Sequence, residues 1–142
     1  MQTMITLAPS PSYQLDLPDD IQESYEDGVT NLWQRGSGLA LQLSSKVRNT
    51  GQQTPAQQRL DERMQLVEGK WKPFELKLRY LHGGEVAAAQ VREEEGLHWA
   101  HVYVTWPDLT VYATISGPPK ELGASDNWAQ QALASLRRTS TA

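Results

Sequence analysis

The chain has 142 residues, enough for one domain with its own core, and its five tryptophans carry much of the large apolar surface. Thirteen basic and 17 acidic side chains leave a net charge of −4 that is spread along the chain, which argues against nucleic acid as a partner because such binders cluster a basic excess. There is no cysteine, so disulfides, thiolate chemistry and cysteine-ligated metals are excluded.

The start, Met1-Gln2-Thr3-Met4-Ile5-Thr6-Leu7-Ala8-Pro9, has no basic lead and no apolar run of signal-peptide length. No stretch is apolar and long enough to span a bilayer. A soluble cytoplasmic protein without membrane insertion is expected, with residues 1–11 as an N-terminal arm. Tyr13, Leu15 and Leu17 alternate with Gln14 and Asp16 in a short strand that Pro18-Asp19-Asp20 ends. After a turn at Asp27-Gly28, residues 29–34 and 39–47 form a hairpin across Arg35-Gly36-Ser37-Gly38, with Leu39, Leu41 and Leu43 on one face. Leu32 beside Trp33 breaks strict alternation, so one of the two faces outward. Residues 48–53 are a polar loop.

Thr54-Pro55-Ala56-Gln57 carries both halves of a capping box, with proline at the first helical position. Ala56, Leu60, Met64 and Val67 then form one stripe at helical spacing, and Gly69 is the stop. That stripe is expected to lie on the sheet. Trp71 stands between Lys70 and Lys72, just before Pro73.

Phe74–Ser116 is the most informative stretch. Four strand-like runs, 74–81, 85–92, 97–106 and 109–116, are separated by Gly83-Gly84, Glu95-Gly96 and Pro107-Asp108. Turns this short join antiparallel neighbours, so the region is a four-stranded meander. A last helix, capped by Ser125 or Asp126, buries Trp128, Ala129, Ala132, Leu133 and Leu136; Arg137 and Arg138 complement its dipole, and residues 139–142 fray. Strands, helix, meander, helix is the pattern of a single α+β domain over residues 1–142: an antiparallel β-sheet packed with two α-helices.

The opening Tyr13-Gln14-Leu15-Asp16-Leu17-Pro18, the single helix before a long meander, and the closing Ala132-Leu133-Ala134-Ser135-Leu136-Arg137 resemble the PsbP-like superfamily. That group includes extrinsic photosystem II proteins, a Ran-binding import factor, bacterial lipoproteins and small chaperones of type VI secretion effectors. The missing lipoprotein cysteine argues against the lipoprotein branch. The resemblance implies a family that mostly binds other proteins, and it carries over no catalytic residue.

Chemistry-bearing constellations are weak. His98 and His101 are three apart on a strand and point to opposite faces, and His82 lies in a turn, so no shared metal is expected. Glu93-Glu94-Glu95, Asp19-Asp20 and Glu26-Asp27 are solvated tips rather than a spaced calcium loop. Gly36-Ser37-Gly38 is too short for a phosphate cradle and precedes a strand. No nucleophile elbow occurs. Neither catalysis nor a cofactor is expected.

The two faces of the meander separate by residue type. One carries Phe74, Leu76, Leu78, Tyr80, Ala100, Val102, Val104, Trp106, Leu109, Val111, Ala113 and Ile115, and packs under the helices. The other carries Glu75, Lys77 and Arg79, then Trp99, His101, Tyr103 and Thr105, then Thr110, Tyr112 and Thr114. A polar face studded with aromatics is the composition of a protein contact surface. Lys77, Arg79, Trp99, His101, Tyr103 and Tyr112 are therefore the candidate partner-binding residues. The expected function is a non-enzymatic protein-binding module, a chaperone or adaptor for a secreted or membrane-associated client. An immunity-type toxin inhibitor and a small-ligand binder with a pocket between helix and sheet are the alternatives. Cross-strand pairing explains the same residues without any partner, and pairing of sheets into a homodimer is a further use of the face.

Overall fold

The structure is a computed structural model and describes residues 4–47, 51–66, 71–73, 80–92, 96–124 and 127–139. In chain order the elements are β1 (Met4–Ser10), β2 (Tyr13–Pro18), β3 (Ile21–Glu26), β4 (Val29–Gln34), β5 (Ala40–Val47), α1 (Ala56–Leu66), β6 (Trp71–Pro73), β7 (Tyr80–Leu81), β8 (Gly84–Arg92), β9 (His98–Trp106), β10 (Leu109–Gly117), α2 (Pro119–Leu122), α3 (Trp128–Ala134) and β11 (Arg137–Arg138). The class is α+β, as expected.

The strands form two antiparallel sheets. The larger has eight strands, ordered β3-β4-β5-β10-β9-β8-β6 with β7 paired to β8; the smaller is β1-β2-β11. The predicted hairpin is β4–β5, pairing Leu32 with Leu41. Its Leu32 is buried while Trp33 remains 41% exposed, so alternation holds through the pair. The meander is present from β8 through β9 to β10, with Val86 opposite Val104 and Val104 opposite Val111. Residues 74–79, the body of its predicted first run, lie outside the described residues.

The main core forms where the expected apolar face of the meander meets the inner face of the small sheet and α3. Ala100, Val102, Val104, Val111, Ala113 and Ile115 are packed with Leu15 and Leu17 of β2 and with Ala129, Ala132 and Leu133 of α3. Each large side chain buried there is worth about 1.5–3 kcal/mol relative to water.

Several expectations need correction. Residues 4–10 are not a loose arm: β1 pairs with β2 in register from Met4 opposite Pro18 to Leu7 opposite Leu15. The strand β3 was also not foreseen, because its polar sequence carries no apolar face. The last helix begins later than expected and ends at Ala134, and a separate short helix, α2, precedes it. Asn127 caps α3 by accepting from the Gln130 amide at 2.7 Å, while Ser125 and Asp126 lie outside the described residues. Arg137 and Arg138 do not sit on the helix; they form β11 against Tyr13 and Gln14 of β2. Thr139, expected to fray, is tied down through its amide to the Ser12 carbonyl at 3.0 Å and through its hydroxyl to the Pro11 carbonyl.

A further correction concerns α1. Of its predicted stripe, Ala56, Leu60 and Met64 are buried, while Val67 and the predicted stop Gly69 lie outside the described residues. It packs, however, on Ala87, Ala89 and Tyr103, on the aromatic-polar side of the sheet. The other side is already filled by the small sheet and α3, and the alanines of β8 make room for a helix. The start of α1 is also held differently from the capping box. The Ala56 amide donates to Oε1 of Glu85 on β8 at 3.0 Å, and the Arg59 amide donates to the Pro55 carbonyl at 3.2 Å.

Candidate functional site

Strand register lays out the aromatic-polar face as rows. One row runs Trp33, Ala40, Ser116, Trp99 across β4, β5, β10 and β9. The next runs Asn31, Gln42, Thr114, His101 and reaches Ala89 on β8. A third runs Ser44, Tyr112, Tyr103, Ala87. Helix α1 lies over the β8 and β9 ends of these rows and leaves the β10, β5 and β4 ends open. In the first row, two small residues separate two indoles. At a strand spacing near 4.8 Å, the Trp33 and Trp99 backbones stand about 14 Å apart.

The border of the covered part is a cluster built on Tyr112. Its ring stacks on Tyr103, with centroids 4.7 Å apart, and the Arg63 guanidinium of α1 lies 4.5 Å from the centre of the Tyr112 ring. Nε of Arg63 also donates to the Tyr103 hydroxyl at 3.0 Å. On the other side the Tyr112 hydroxyl and Nδ1 of His101 are 2.6 Å apart. Burial pushes the Tyr112 hydroxyl up to about 12, against the opposing pull of Arg63. Burial, assisted by the Arg63 charge, holds His101 below its ordinary range and so favours neutral imidazole.

Between this cluster and the hairpin is an open hollow of about 240 Å³, lined in part by Gln42, Ser44, Trp99, His101, Tyr112 and Thr114. Among the described residues its polar groups are amides, hydroxyls and an imidazole, with no carboxylate or ammonium in the lining. Gln42 donates through Nε2 to Oδ1 of Asn31 at 2.7 Å, which fixes the floor. The indole Nε1 of Trp99 is buried and has no hydrogen-bond partner. Such a surface can cover apolar groups and hydrogen-bond amides.

Of the six predicted binding residues, Trp99, His101 and Tyr112 are brought together here and are half-buried. Tyr103 is corrected. It was expected on an outward-looking surface but is only 7% exposed, enclosed under α1. Thr105, Thr110 and Thr114 of the same set are buried as well. Lys77 and Arg79 lie outside the described residues. Sequence reasoning missed Asn31, Trp33, Gln42 and Ser44, which come from the N-terminal hairpin. Their alternation with buried Leu32, Leu41 and Leu43 was visible, but the pairing of β5 beside β10 was not. The histidines do not converge: Nδ1 of His98 pairs with Gln90 at 2.8 Å, and His101 pairs with Tyr112.

No family model matches the chain, and no curated protein matches it by sequence. Solved structures do match. A protein from Bacteroides thetaiotaomicron VPI-5482 superposes with a TM-score of 0.64 at 12% identity, over 99% of this chain and 50% of that one. The chain thus spans about half the length of that protein. The solution structure of the cyanobacterial PsbP (CyanoP) from Synechocystis sp. PCC 6803 superposes with a TM-score of 0.65 at 9% identity, over 98% of this chain and 94% of that one. Identities this low speak for the fold alone, and on that basis the chain has a PsbP-like α+β fold.

Proposed function

We propose that this protein is a non-enzymatic binding module for another protein, a chaperone or adaptor for a secreted or membrane-associated client, and that it holds the client on the part of the aromatic-polar face left open by α1. The observation that carries this reading is the row of Trp33 and Trp99 with Ala40 and Ser116 between them, beside the uncharged hollow at Gln42, His101 and Tyr112. Aromatic anchors around a shallow, neutral floor suit an apolar client segment whose backbone amides need partners. Membrane insertion plays no part in the reading; no described helix is long and apolar enough to cross a bilayer.

The test uses wild-type protein and the Trp33→Ala/Trp99→Ala double variant as baits in a lysate of the source cells. Both are first shown to unfold cooperatively. A partner retained by the wild type and lost from the double variant supports the reading. Equal retention by both refutes it. A small-ligand reading is favoured by one observation, the buried and unpartnered Trp99 indole N–H beside the hollow. It predicts that a small solute from the lysate, rather than a protein, protects wild type but not Trp99→Ala against heat.

A further inference from the structure

The acidic side chains of this protein are placed unevenly in a way the aromatic face does not explain. The first 34 residues contain six carboxylates, Asp16, Asp19, Asp20, Glu23, Glu26 and Asp27, and no lysine or arginine. Three of them follow from local structure. Asp16 is engaged by Arg137 at 3.0 Å, Asp20 accepts from Gln34, and Asp27 is in the β3–β4 turn with φ of 52°. Glu23 and Glu26 are different, because they stand on β3, the terminal strand of the eight-stranded sheet.

Strand β3 pairs with β4 on one side, from Ile21 opposite Gln34 to Glu26 opposite Val29. Its residues 22–26 are all exposed, and Tyr25 is 70% exposed. Among the described residues no strand pairs with its other side, which therefore offers N–H and C=O groups to an incoming strand. Alternation puts Glu23 and Tyr25 on one face and Gln22, Ser24 and Glu26 on the other. Neighbouring β4, Val29–Gln34, contains no charged residue that would neutralise the edge.

We propose that β3 is a docking edge that accepts an extended segment of a partner protein as a further strand, the segment carrying two basic side chains three residues apart that meet Glu23 and Glu26 on opposite faces. The basic group opposite Glu23 lies diagonally across from Tyr25, within reach of its ring for cation–π contact. A second copy of this chain is the wrong occupant. Pairing β3 with itself offers neither glutamate a basic side chain and, depending on register, sets Glu23 or Glu26 directly or diagonally across from the same carboxylate of the other copy, and like charges across strands repel. This edge flanks the hollow, since Glu26 is opposite Val29 of its lining, but it offers backbone groups where the hollow offers side chains, and either can fail without the other.

The test is an NMR titration of the full 142-residue protein with a capped peptide of threonine and valine carrying two arginines three residues apart. Amide shifts confined to residues 21–26, weakened by added salt, are the expected result. Glu23→Lys/Glu26→Lys should weaken binding roughly tenfold, and a peptide with glutamates in place of the arginines should bind that variant better than the wild type. These changes lie on exposed positions, and the charge-swapped peptide gives the same information without altering the fold. No shift at β3 up to millimolar peptide, equal binding of the glutamate peptide to wild type, or self-pairing of the free protein through β3 overturns the proposal.

Discussion

Leu60 decides which face of the sheet α1 covers. It is 1% exposed and belongs with Met64, Ala87, Ala89 and Tyr103 in one apolar cluster, apart from the main core that holds Val102. Leu60→Ala removes buried methyl groups and leaves a cavity, which costs about 2–5 kcal/mol. The lower half of that range applies, because a single helix with a polar outer face can settle towards the sheet. The discriminating quantity is coupling. Leu60→Ala combined with Tyr103→Leu should deviate from additivity by about 0.5–3 kcal/mol, since the two share a cluster. Combined with Val102→Ala, on the opposite face, it should add within about 0.5 kcal/mol. Urea unfolding followed by tryptophan fluorescence measures all five single and double differences. Strong coupling to Val102 with none to Tyr103 would place α1 on the other face and dissolve the site as described.

Three further outcomes follow from the same contacts. Glu85→Ala removes the acceptor for the Ala56 amide at the start of α1 and should cost about 1 kcal/mol in the same unfolding assay, whereas Glu85→Gln keeps an acceptor and should cost less. Gly84→Ala sets a methyl group 2.7 Å from both Trp106 Cε2 and Val104 Cγ1, which should cost about 1–3 kcal/mol and depress expression of folded protein. His101 is held below its ordinary range by burial and then by Arg63, so below a pH of about 6.5 the unfolded chain takes up the proton more readily than the folded one. Stability should therefore fall as pH drops from about 7 towards the depressed folded value, and His101→Gln should flatten that slope; parallel slopes in the two proteins would refute the assignment.

Where period-two alternation involved large residues, the sequence was transparent: Tyr13, Leu15 and Leu17, the leucines of β5, and β9 with β10 all lie as their spacing predicts. Strand β3 was opaque because Gln22, Glu23, Ser24 and Glu26 present no apolar side, and it forms only because β4 offers an edge to pair with. The covering of Tyr103 was hidden by β8. In Val86-Ala87-Ala88-Ala89, small apolar residues point both ways, so the sequence could not say that two separate layers pack on that strand. Arg137 and Arg138 followed a helix and matched the charge its end prefers, yet the buried Leu136 ends the helical path and turns the chain back to β2. The candidate face was legible in half, through Trp99, His101 and Tyr112. The other half comes from a hairpin more than 50 residues earlier, brought alongside by a β5–β10 pairing that no local signal announces.

The closure of β2 by β11 has a consequence for how the molecule comes off the ribosome. Ser135 receives the Asp16 amide at 2.7 Å, and Arg137 grips the Asp16 carboxylate, across about 120 positions of chain. Until those late residues emerge, Leu15 and Leu17 have no α3 to lie against, however long they have been outside the exit tunnel. Native assembly must then wait for translation of this region to finish, and such long-range closure makes folding slow. A nascent chain stalled before Trp128 should be a good substrate for general chaperones and proteases, and release of the next dozen residues should end that vulnerability in a single step.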